Sequence, residues 1–280
     1  MTYQLTKDNI LEIKKCAEDI CYFAETYCKI ISLDEGLINF KLYDKQKVLL
    51  KNFKKNRFNI VLASRQFGKT ITSACYLLYH AIFFENSNIC LLADQESHAI
   101  EILERVKIII EYLPDFLKPE LIENNKKTIK IDNGSKIFCA PTTSKSIRGQ
   151  SLAVLYLDEF SIVPNTMAEE FIQNAWPTIT SGTKTKVIIS STPKGLNHFW
   201  SFWTKAERGL NNFIPIRVDW WERPGRDEKW KKEQIATIGE QAFLQEFGNC
   251  VTKNTLIKLK NKITNEEIEV SFDEFINYYN

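Results

Sequence analysis

The residues best suited to chemistry form one short run, Ser64 to Thr70, between an apolar stretch and a helix-compatible segment. With Ala63 the run reads A-S-R-Q-F-G-K-T, which fits the phosphate-binding pattern G-x-x-x-x-G-K-[ST] except at its first position. A strand, a tight loop and a helix N-terminus place backbone N–H groups around an anion. Gly68 would let the main chain approach the phosphates, Lys69 would reach the β and γ oxygens, and Thr70 would hold Mg²⁺.

A second candidate is the acidic pair Asp158-Glu159, which ends the apolar run 154–157. Downstream of a phosphate-binding loop, this arrangement is typical of a Walker B strand. Asp158 would bind Mg²⁺, directly or through water, and Glu159 would polarise the water that attacks the γ-phosphate. A strand that simply ends in an acidic turn is the alternative, but the two motifs in one domain together favour ATP and Mg²⁺ as cofactors.

Three further groups could complete such a site. Arg148, beside Gly149, could stabilise phosphoryl charge within the subunit or across a subunit boundary, and Arg65 is a second candidate for that role. Tyr43 and Gln46 could clamp an adenine ring, although a packed helix start is the alternative. Hydroxyls at the end of a later apolar run could sense the γ-phosphate and relay hydrolysis to movement, namely Ser190, Ser191 and Thr192.

The elements that must position these residues alternate between short apolar runs and longer amphipathic segments. This pattern predicts an α/β fold with a mostly parallel central sheet flanked by helices. Strands are expected over 88–94, 135–141, 153–159 and 186–192, and helices over 71–84, 97–113 and 166–176. The pair Asn133-Gly134 predicts a β-hairpin that joins 128–132 to 135–138. Helical spacing predicts a helical N-terminal extension over about 1–38.

Bulk composition places the chain among globular proteins and narrows its partners. Hydrophobic residues make up 44% and charged ones 26%, which argues against a mainly disordered protein. A net charge of +2 means that any DNA-binding surface is local, and the best candidate is the basic run 45–57, which otherwise reads as a solvated helix face. No apolar run is long enough for a bilayer and no signal peptide is visible, so we expect a cytosolic protein without membrane contact.

Cysteine usage predicts neither a zinc site nor a disulfide framework. The seven cysteines are scattered and contain no C-x-x-C pair. Six of them read as small buried hydrophobes: Cys16, Cys21, Cys28, Cys75, Cys90 and Cys139. The seventh, Cys250, lies where the character of the chain changes.

Four segments, taken in order, resemble the large terminase subunit of tailed phages. They are K-L-Y-D-K-Q at 41–46, S-R-Q-F-G-K-T at 64–70, L-Y-L-D-E at 155–159 and S-T-P-K-G-L-N-H-F-W at 191–200. The resemblance covers roughly residues 20–249. It implies adenine-binding, Walker A, Walker B and coupling segments, and it places nucleotide contacts at Tyr43, Gln46, Ser64, Arg65, Gln66, Gly68, Lys69 and Thr70.

The same resemblance implies a P-loop ATPase motor that packs double-stranded DNA into a procapsid. Its implied partners are the portal protein, the small terminase subunit and further copies of itself in a ring, in the cytoplasm of an infected bacterial host. Either Arg65 or Arg148 would serve as arginine finger, and the sequence does not decide which. Large terminases continue into an RNase H-like nuclease domain, and we expect none in this chain because it stops before one could fit.

The last thirty-one residues resemble the N-terminal segment of an intein. They begin with Cys250 and carry the pattern C-V-x-x-x-T-L-I. They predict a strand over 251–257, then a strand, a turn at 264–266 and a second strand within 258–271, and a short helix over 272–279. The resemblance implies that the Cys250 thiolate attacks the Asn249 carbonyl and forms a thioester. Its partner would be a split-intein C-fragment joined to the nuclease half. A linker with an incidental cysteine and a truncated contiguous intein are the alternatives.

The sequence therefore predicts two domains, a motor over 1–249 and an intein fragment over 250–280. Two other functions compete with this hypothesis. The chain could be a splicing precursor whose motor is idle until ligation. It could instead be a helicase-type ATPase stimulated by nucleic acid, although a second motor domain is not recognisable.

Overall fold

The computed structural model describes residues 5–32, 34–143, 145–180, 182–249, 256–261, 264 and 266–271. Its helices are α1 (Lys7–Glu18), α2 (Ile20–Tyr27), α3 (Asp44–Lys55), α4 (Lys69–Phe83), α5 (Glu96–Glu111), α6 (Asn165–Thr180), α7 (His198–Glu207), α8 (Glu228–Ile238) and α9 (Glu240–Glu246). Its strands are β1 (Lys29–Ser32), β2 (Gly36–Asn39), β3 (Phe58–Ala63), β4 (Asn88–Ala93), β5 (Leu121–Asn124), β6 (Thr128–Ile131), β7 (Lys136–Pro141), β8 (Val154–Leu157), β9 (Lys186–Ser191), β10 (Ile214–Val218), β11 (Leu256–Lys260) and β12 (Glu267–Ser271). Short 3₁₀ turns cover Phe160–Ile162 and Trp220–Glu222.

An eight-stranded sheet with the order β10-β3-β9-β8-β4-β7-β6-β5 forms the centre of the fold. The six strands from β10 to β7 pair in parallel. β6 pairs antiparallel with β7, and β5 pairs antiparallel with β6. This confirms the predicted α/β fold with a mostly parallel sheet. The Asn133-Gly134 hairpin is also present, because β6 pairs antiparallel with β7 while β7 pairs parallel with β4 on its other side.

Helices cover both faces of the sheet, and the inner strands are therefore apolar on both sides. Along β3 the side chains alternate between two core clusters, with Val61 in one and Ile60 and Leu62 in the other. The first cluster includes α3, α4 and α5, and the second includes α6 and α7. Strands that are buried on both faces are continuous apolar runs in the sequence, and their positions could therefore be predicted.

The N-terminal region is helical only to Tyr27, so the expected helical extension over about 1–38 is too long. The structure instead has an antiparallel hairpin of β1 and β2, in which Ile30 pairs with Ile38. β-Branched Ile30 and Ile31 favour a strand, and Gly36 supplies the turn with a φ of +70°. This hairpin borders the phosphate-binding loop.

The segment after β10 forms a small helical unit, α8 and α9, that sequence reasoning did not predict. A separate aromatic cluster holds it together and contains Trp220, Trp230, Phe243 and Phe247. The unit contacts the phosphate-binding loop directly, because the Arg65 amide donates to the Glu246 carbonyl at 3.1 Å.

The tail contains an antiparallel pair of strands, β11 and β12, within the region predicted as strand, turn and strand. β11 begins at Leu256, inside the separate strand predicted over 251–257, and residues 251–255 of that prediction lie outside the described residues. The helix predicted over 272–279 lies outside the described residues, and so does Cys250. In the part of the chain that the structure covers, no helix combines the length and the apolar character needed to cross a bilayer.

Candidate active site

The phosphate-binding loop connects the fully buried strand β3 to the N-terminus of α4. Gly68 caps α4 with a φ of +89°, which is the left-handed region that glycine adopts without strain. A Cβ at this position would lie 2.7 Å from Nε2 of Gln46. The backbone conformation therefore favours glycine, any larger residue would displace the end of the Gln46 side chain, and the predicted strand–loop–helix context is present.

Parallel strand order explains why residues far apart in sequence meet beside this loop. β3, β9 and β8 are neighbours, and the carboxyl ends of parallel strands lie at the same edge of the sheet. Lys69 Nζ lies 2.8 Å from Asp158 Oδ1 and 2.9 Å from Glu159 Oε1. The loop lysine and both predicted acidic residues thus form one cluster, in which Lys69 and Asp158 are buried and Glu159 is partly exposed.

Asp158 is the most constrained member of the cluster. Its Oδ1 accepts hydrogen bonds from the Tyr156 hydroxyl at 2.7 Å and from the Ser190 hydroxyl at 2.8 Å. Burial by itself raises the pKa of Asp158, but the charge of Lys69 and these hydrogen bonds outweigh it, so the pKa lies below its ordinary value. Asp158 is therefore a carboxylate at neutral pH.

Lys69 remains charged in spite of its burial. Desolvation lowers the pKa of Lys69, yet the charges of Asp158 and Glu159 more than compensate, and its pKa lies above the ordinary value. The site therefore presents one ammonium group in contact with two carboxylates, so a polyanion could bind Lys69 only by displacing these carboxylates from it.

Glu159 is held by the last residue of β9 and the residue after it. Its Oε2 accepts hydrogen bonds from the Ser191 hydroxyl at 3.3 Å and from the Thr192 amide and hydroxyl, both at 3.2 Å. Its backbone has a φ of +47°, a conformation that costs a non-glycine residue energy and that clusters at functional sites. The predicted coupling hydroxyls thus contact the two acidic residues, Ser190 touching Asp158 and the other two touching Glu159.

The coupling segment is also tied to the turn that follows Glu159. The Ser161 hydroxyl donates to the Thr192 carbonyl at 2.8 Å, and the Asn197 amide group donates to the Ser161 carbonyl at 2.8 Å. A ring nitrogen of His198 lies 2.7 Å from the Phe160 carbonyl. Contiguous hydrogen bonds therefore connect Glu159 to the start of α7.

Tyr43 and Gln46 lie on the other side of the loop. Gln46 is buried, its Oε1 accepts from the Tyr43 amide at 2.9 Å, and its Nε2 donates to the Phe67 carbonyl at 3.5 Å. Tyr43 and Phe67 pack edge to face with ring centroids 6.0 Å apart. Both side chains border a cavity of about 450 Å³ next to Gly68. The packed helix start, which was the alternative to an adenine clamp, is present, and the cavity lies beside it.

The two candidate finger arginines occupy different environments. Arg65 forms an ion pair with Glu246 of α9. Arg148 lies in a turn after β7, is exposed, and has no ion pair or hydrogen-bond partner for its side chain among the described residues. The structure brings neither guanidinium into contact with Lys69, Asp158 or Glu159 of the same chain.

Sequence reasoning missed two arginines that contact the loop. Arg223 donates to the Gln66 carbonyl, and Arg226 donates to the Arg65 carbonyl at 3.1 Å. They flank a Pro-Gly turn after β10, about 160 residues from the loop they contact. The only sequence signal was this pair of arginines around a turn, which is not specific.

The residues present fit Mg²⁺ with a nucleotide. Within the described ranges no three His, Cys, Asp or Glu residues form a metal cluster. Mg²⁺ does not need one, because it is commonly held by one or two protein oxygens together with phosphate oxygens and water. Thr70 Oγ1 and Asp158 Oδ2 are hard oxygen donors 3.4 Å apart at the phosphate-binding loop. They are the residues that would hold the ion.

Several lysines of the basic run 45–57 are engaged in partly exposed contacts within the protein. Lys45 pairs with Glu222 at 3.0 Å, Lys47 pairs with Glu25 at 2.9 Å, and Lys54 donates to the Ala17 carbonyl. These contacts stabilise packing around α3. They favour the structural interpretation of the run over DNA contact. The six cysteines expected to be buried are buried and free, which confirms that prediction.

Comparison with known proteins identifies relatives of this architecture. The family model described as Terminase large subunit, T4likevirus-type, N-terminal, matches residues 60–262. The large terminase subunit of Thermus phage G20c is 23% identical over 244 residues, which cover 76% of this chain and 49% of the relative. This chain therefore spans about half the length of that protein.

Two solved structures share the fold. The large terminase ATPase domain of Thermus phage P74-26 has a TM-score of 0.61 and 20% identity, covering 75% of this chain and 94% of that one. The large terminase of a thermophilic bacteriophage in complex with ADP has a TM-score of 0.60 and 13% identity, covering 85% of this chain and 72% of that one.

Proposed function

This chain belongs to the family of terminase large subunits of the T4-like virus type, N-terminal region, and from that premise we propose that it is the ATP-hydrolysing part of a phage DNA-packaging motor. The observation that carries the proposal is the contact of the buried Lys69 with both Asp158 and Glu159. A lysine of a phosphate-binding loop beside two carboxylates at the carboxyl edge of a parallel sheet is suited to phosphoryl transfer to water.

Each residue of the site has a distinct task in this proposal. Lys69 leaves the carboxylates and binds the β and γ phosphate oxygens. Thr70 and Asp158 would hold Mg²⁺, which would neutralise phosphate charge. Glu159, released from Lys69, accepts a proton from the attacking water. Ser191 and Thr192 keep the second oxygen of Glu159 fixed, so its free oxygen is aimed at that water.

The base is placed by the cavity beside Tyr43 and Gln46. The Tyr43 ring offers a face for stacking, and the Gln46 amide reads the base edge once it exchanges its present contacts with Tyr43 and Phe67. The ADP complex of the thermophilic phage terminase supports a nucleotide ligand for this fold. The first test is Mg²⁺-dependent phosphate release from ATP by the purified chain; its absence at concentrations that permit oligomers would contradict the proposal.

Coupling to movement runs through the C-terminal end of β9 and Thr192, which follows it. Ser190 contacts the metal-binding carboxylate, and Ser191 and Thr192 contact the water-activating one. Loss of the γ-phosphate changes the charge next to Asp158 and Glu159. The hydroxyls of Ser190, Ser191 and Thr192, which contact these carboxylates, therefore experience a different electrostatic environment. The proposed substrate of the motor is double-stranded DNA, which a ring of these subunits moves through the portal protein. The small terminase subunit is a further proposed partner, and the proposed location is the cytoplasm of the infected host.

We assign the trans-acting arginine finger to Arg148. Arg65 is already paired with Glu246, whereas Arg148 is exposed and free to enter a neighbouring site. We expect Arg148→Ala to lower the maximal hydrolysis rate about 1,000-fold with little change in ATP affinity, as for other arginine fingers. The measurement is steady-state phosphate release under conditions where the subunits assemble, with the exposed Arg208→Ala as control.

Mixing two inactive variants shows whether Arg148 acts on the site of its own subunit or on that of a neighbouring subunit. Arg148→Ala subunits supply intact Walker residues, and Glu159→Gln subunits supply an intact Arg148. If Arg148 acts across the boundary, mixed assemblies recover part of the activity that neither variant has alone. Failure of mixed assemblies to recover activity, although they form, would contradict the assignment.

For the tail we propose the splicing chemistry of a split intein. The Cys250 sulfur attacks the Asn249 carbonyl carbon, the C–S bond replaces the C–N bond of that peptide, and the α-amino group of Cys250 is released. Asn249 has a φ of +51° and its side-chain amide donates to the Val218 carbonyl at 2.8 Å, so the residue before the bond is held in an unusual conformation. The complementary fragment would bring the nuclease half.

The alternative is a continuous terminase linker, and the family match favours it because that match runs to residue 262. Thiol treatment and intact mass distinguish the two. We expect the chain with its complementary fragment to give a ligated product without residues 250–280, and Cys250→Ala to give none. A Cys250→Ala chain that still joins, or an unsubstituted chain that neither joins nor releases residues 1–249 to added thiol, would contradict splicing.

A further inference from the structure

Arg226 is a buried cation beside the phosphate-binding loop. It lies between β10 and α8 and is 7% exposed. Its guanidinium carbon is 4.5 Å from the ring centroid of Trp230 and 5.2 Å from that of Phe247. These two aromatic rings fix the plane of the guanidinium and direct its donors toward the loop.

The donors of Arg226 meet only neutral acceptors. Nη1 donates to the Arg65 carbonyl at 3.1 Å and to the Ser64 hydroxyl at 3.4 Å, and Nη2 donates to the Gln66 side-chain oxygen at 3.3 Å. All three acceptors belong to the loop that cradles phosphate. The contacts beyond 3.2 Å are long for hydrogen bonds of a charged donor, which prefers about 2.8 Å.

Charge pairing sets Arg226 apart from the other cations of the loop. Lys69 has Asp158 and Glu159, and Arg65 has Glu246. Across the described ranges no carboxylate lies within ion-pair distance of Arg226. Burial lowers the pKa of Arg226 to about 10, and the nearby charge of Arg223 acts in the same direction, so it stays charged at neutral pH. A buried charge without a counter-ion is unfavourable.

We propose that the missing counter-ion is the polyphosphate of the nucleotide, so that Arg226 is a phosphate-binding residue supplied within the same subunit. This inference rests on the proposed ATPase function and adds a ligand contact to it. Arg223, Arg226 and Gln66 line a cavity of about 310 Å³ that adjoins the loop. A phosphate oxygen there replaces the neutral acceptors with a charged one and forms the stronger hydrogen bond.

The consequence is a direct link between nucleotide occupancy and the α8–α9 unit. Arg226 stacks on Trp230 of α8 and on Phe247 just after α9. If a bound phosphate shifts the Arg226 guanidinium, the aromatic cluster that packs against it and holds both helices shifts as well.

Arg226→Met tests the inference because it keeps a flexible apolar side chain between the two rings and removes the charge. We expect the dissociation constant for ATP to rise by about tenfold, the loss typical of a hydrogen bond between charged groups. We expect the thermal midpoint of the nucleotide-free protein to stay unchanged or to rise, since replacing an uncompensated buried charge by an apolar group removes its desolvation cost. Calorimetric titration with ATP and thermal melts without ATP measure the two quantities.

Arg226→Lys and Arg208→Met are the companion variants. Lysine keeps the charge without the planar fork, so it should restore part of the ATP affinity. Arg208 is exposed at the end of α7, and its replacement should change neither quantity. Unchanged ATP affinity in Arg226→Met would overturn the inference. Weaker ATP binding with a lower midpoint of the nucleotide-free protein would also overturn it, because the residue would then only support the loop.

The proposed function and this inference fail in different ways. An unsubstituted chain that binds no ATP contradicts the proposed function, whatever the variants do. An unsubstituted chain that binds and hydrolyses ATP, together with an Arg226→Met chain of equal ATP affinity, contradicts the role of Arg226 alone.

Discussion

The Glu159→Gln variant is expected to bind ATP at least as tightly as the unsubstituted chain and to release phosphate at least about 100-fold more slowly, the usual contribution of a general base. The amide cannot accept the proton of the attacking water. Binding is preserved because Lys69 and Thr70 remain, and it is favoured because Lys69 no longer has to leave the Glu159 carboxylate, 2.9 Å away, to reach phosphate.

Single-turnover phosphate release and calorimetric titration with ATP measure these two effects separately. Glu170→Gln is the matched control, since Glu170 is an exposed residue of α6 and the substitution is the same. Hydrolysis that continues undiminished in Glu159→Gln would exclude Glu159 as the base. Loss of ATP binding in the same variant would instead assign it a structural role in the loop.

The chemistry of the site was readable from sequence where it depends on local spacing. The loop that ends in Gly68-Lys69-Thr70 needs fixed residue types at fixed separations, and the buried β8 reads as an apolar run up to Asp158. The meeting of these motifs followed from strand alternation alone, because parallel strands end at one edge of the sheet. The partners of Ser190 and Thr192 did not follow, because register between strands is a tertiary property.

Other contacts had no local signal. Arg226 reaches Ser64 across 162 positions, and nothing in the run Arg-Pro-Gly-Arg distinguishes a loop-binding arginine from a surface one. The hairpin of β1 and β2 was not predicted from the sequence for a different reason. Strands of four residues are too short to show a period of two, so the helical pattern before them was extended too far.

The second large effect concerns stability, and it follows from the burial of the Lys69–Asp158 pair. Both side chains are 9% exposed. We expect Lys69→Met to abolish ATP binding and to lower the free energy of unfolding by about 3 to 5 kcal/mol, the range for a buried pair that loses one partner. Lys107→Met, which breaks the more exposed pair with Glu104, should cost only about 0.5 kcal/mol.

The double variant Lys69→Met/Asp158→Asn identifies the cause of that loss. If the cost is the unpaired carboxylate, neutralising Asp158 restores part of the stability, and the double variant is more stable than Lys69→Met alone. Urea denaturation of the four proteins of the cycle measures the coupling. Strictly additive losses would show that Lys69 and Asp158 contribute independently, against the contact described above.

The pH dependence of unfolding gives the same pair an independent signature. In the unsubstituted chain the pKa of Asp158 is lowered and that of Lys69 is raised by folding. The Asp158 contribution is therefore present above its unfolded pKa of about 3.9 and lost as pH falls through the folded value. The Lys69 contribution is present below about 10.4 and lost as pH rises through its folded value.

In Lys69→Met, the effect of Asp158 on the free energy of unfolding at acidic pH should have the opposite sign. Burial then acts on Asp158 without the lysine charge and raises its pKa above the unfolded value, so the folded state binds the extra proton. Stability of Lys69→Met is therefore expected to rise as pH falls from about 7 toward about 5, where the unsubstituted chain gains nothing from this residue. A parallel pH profile for the two proteins would mean that Lys69 does not set the charge state of Asp158.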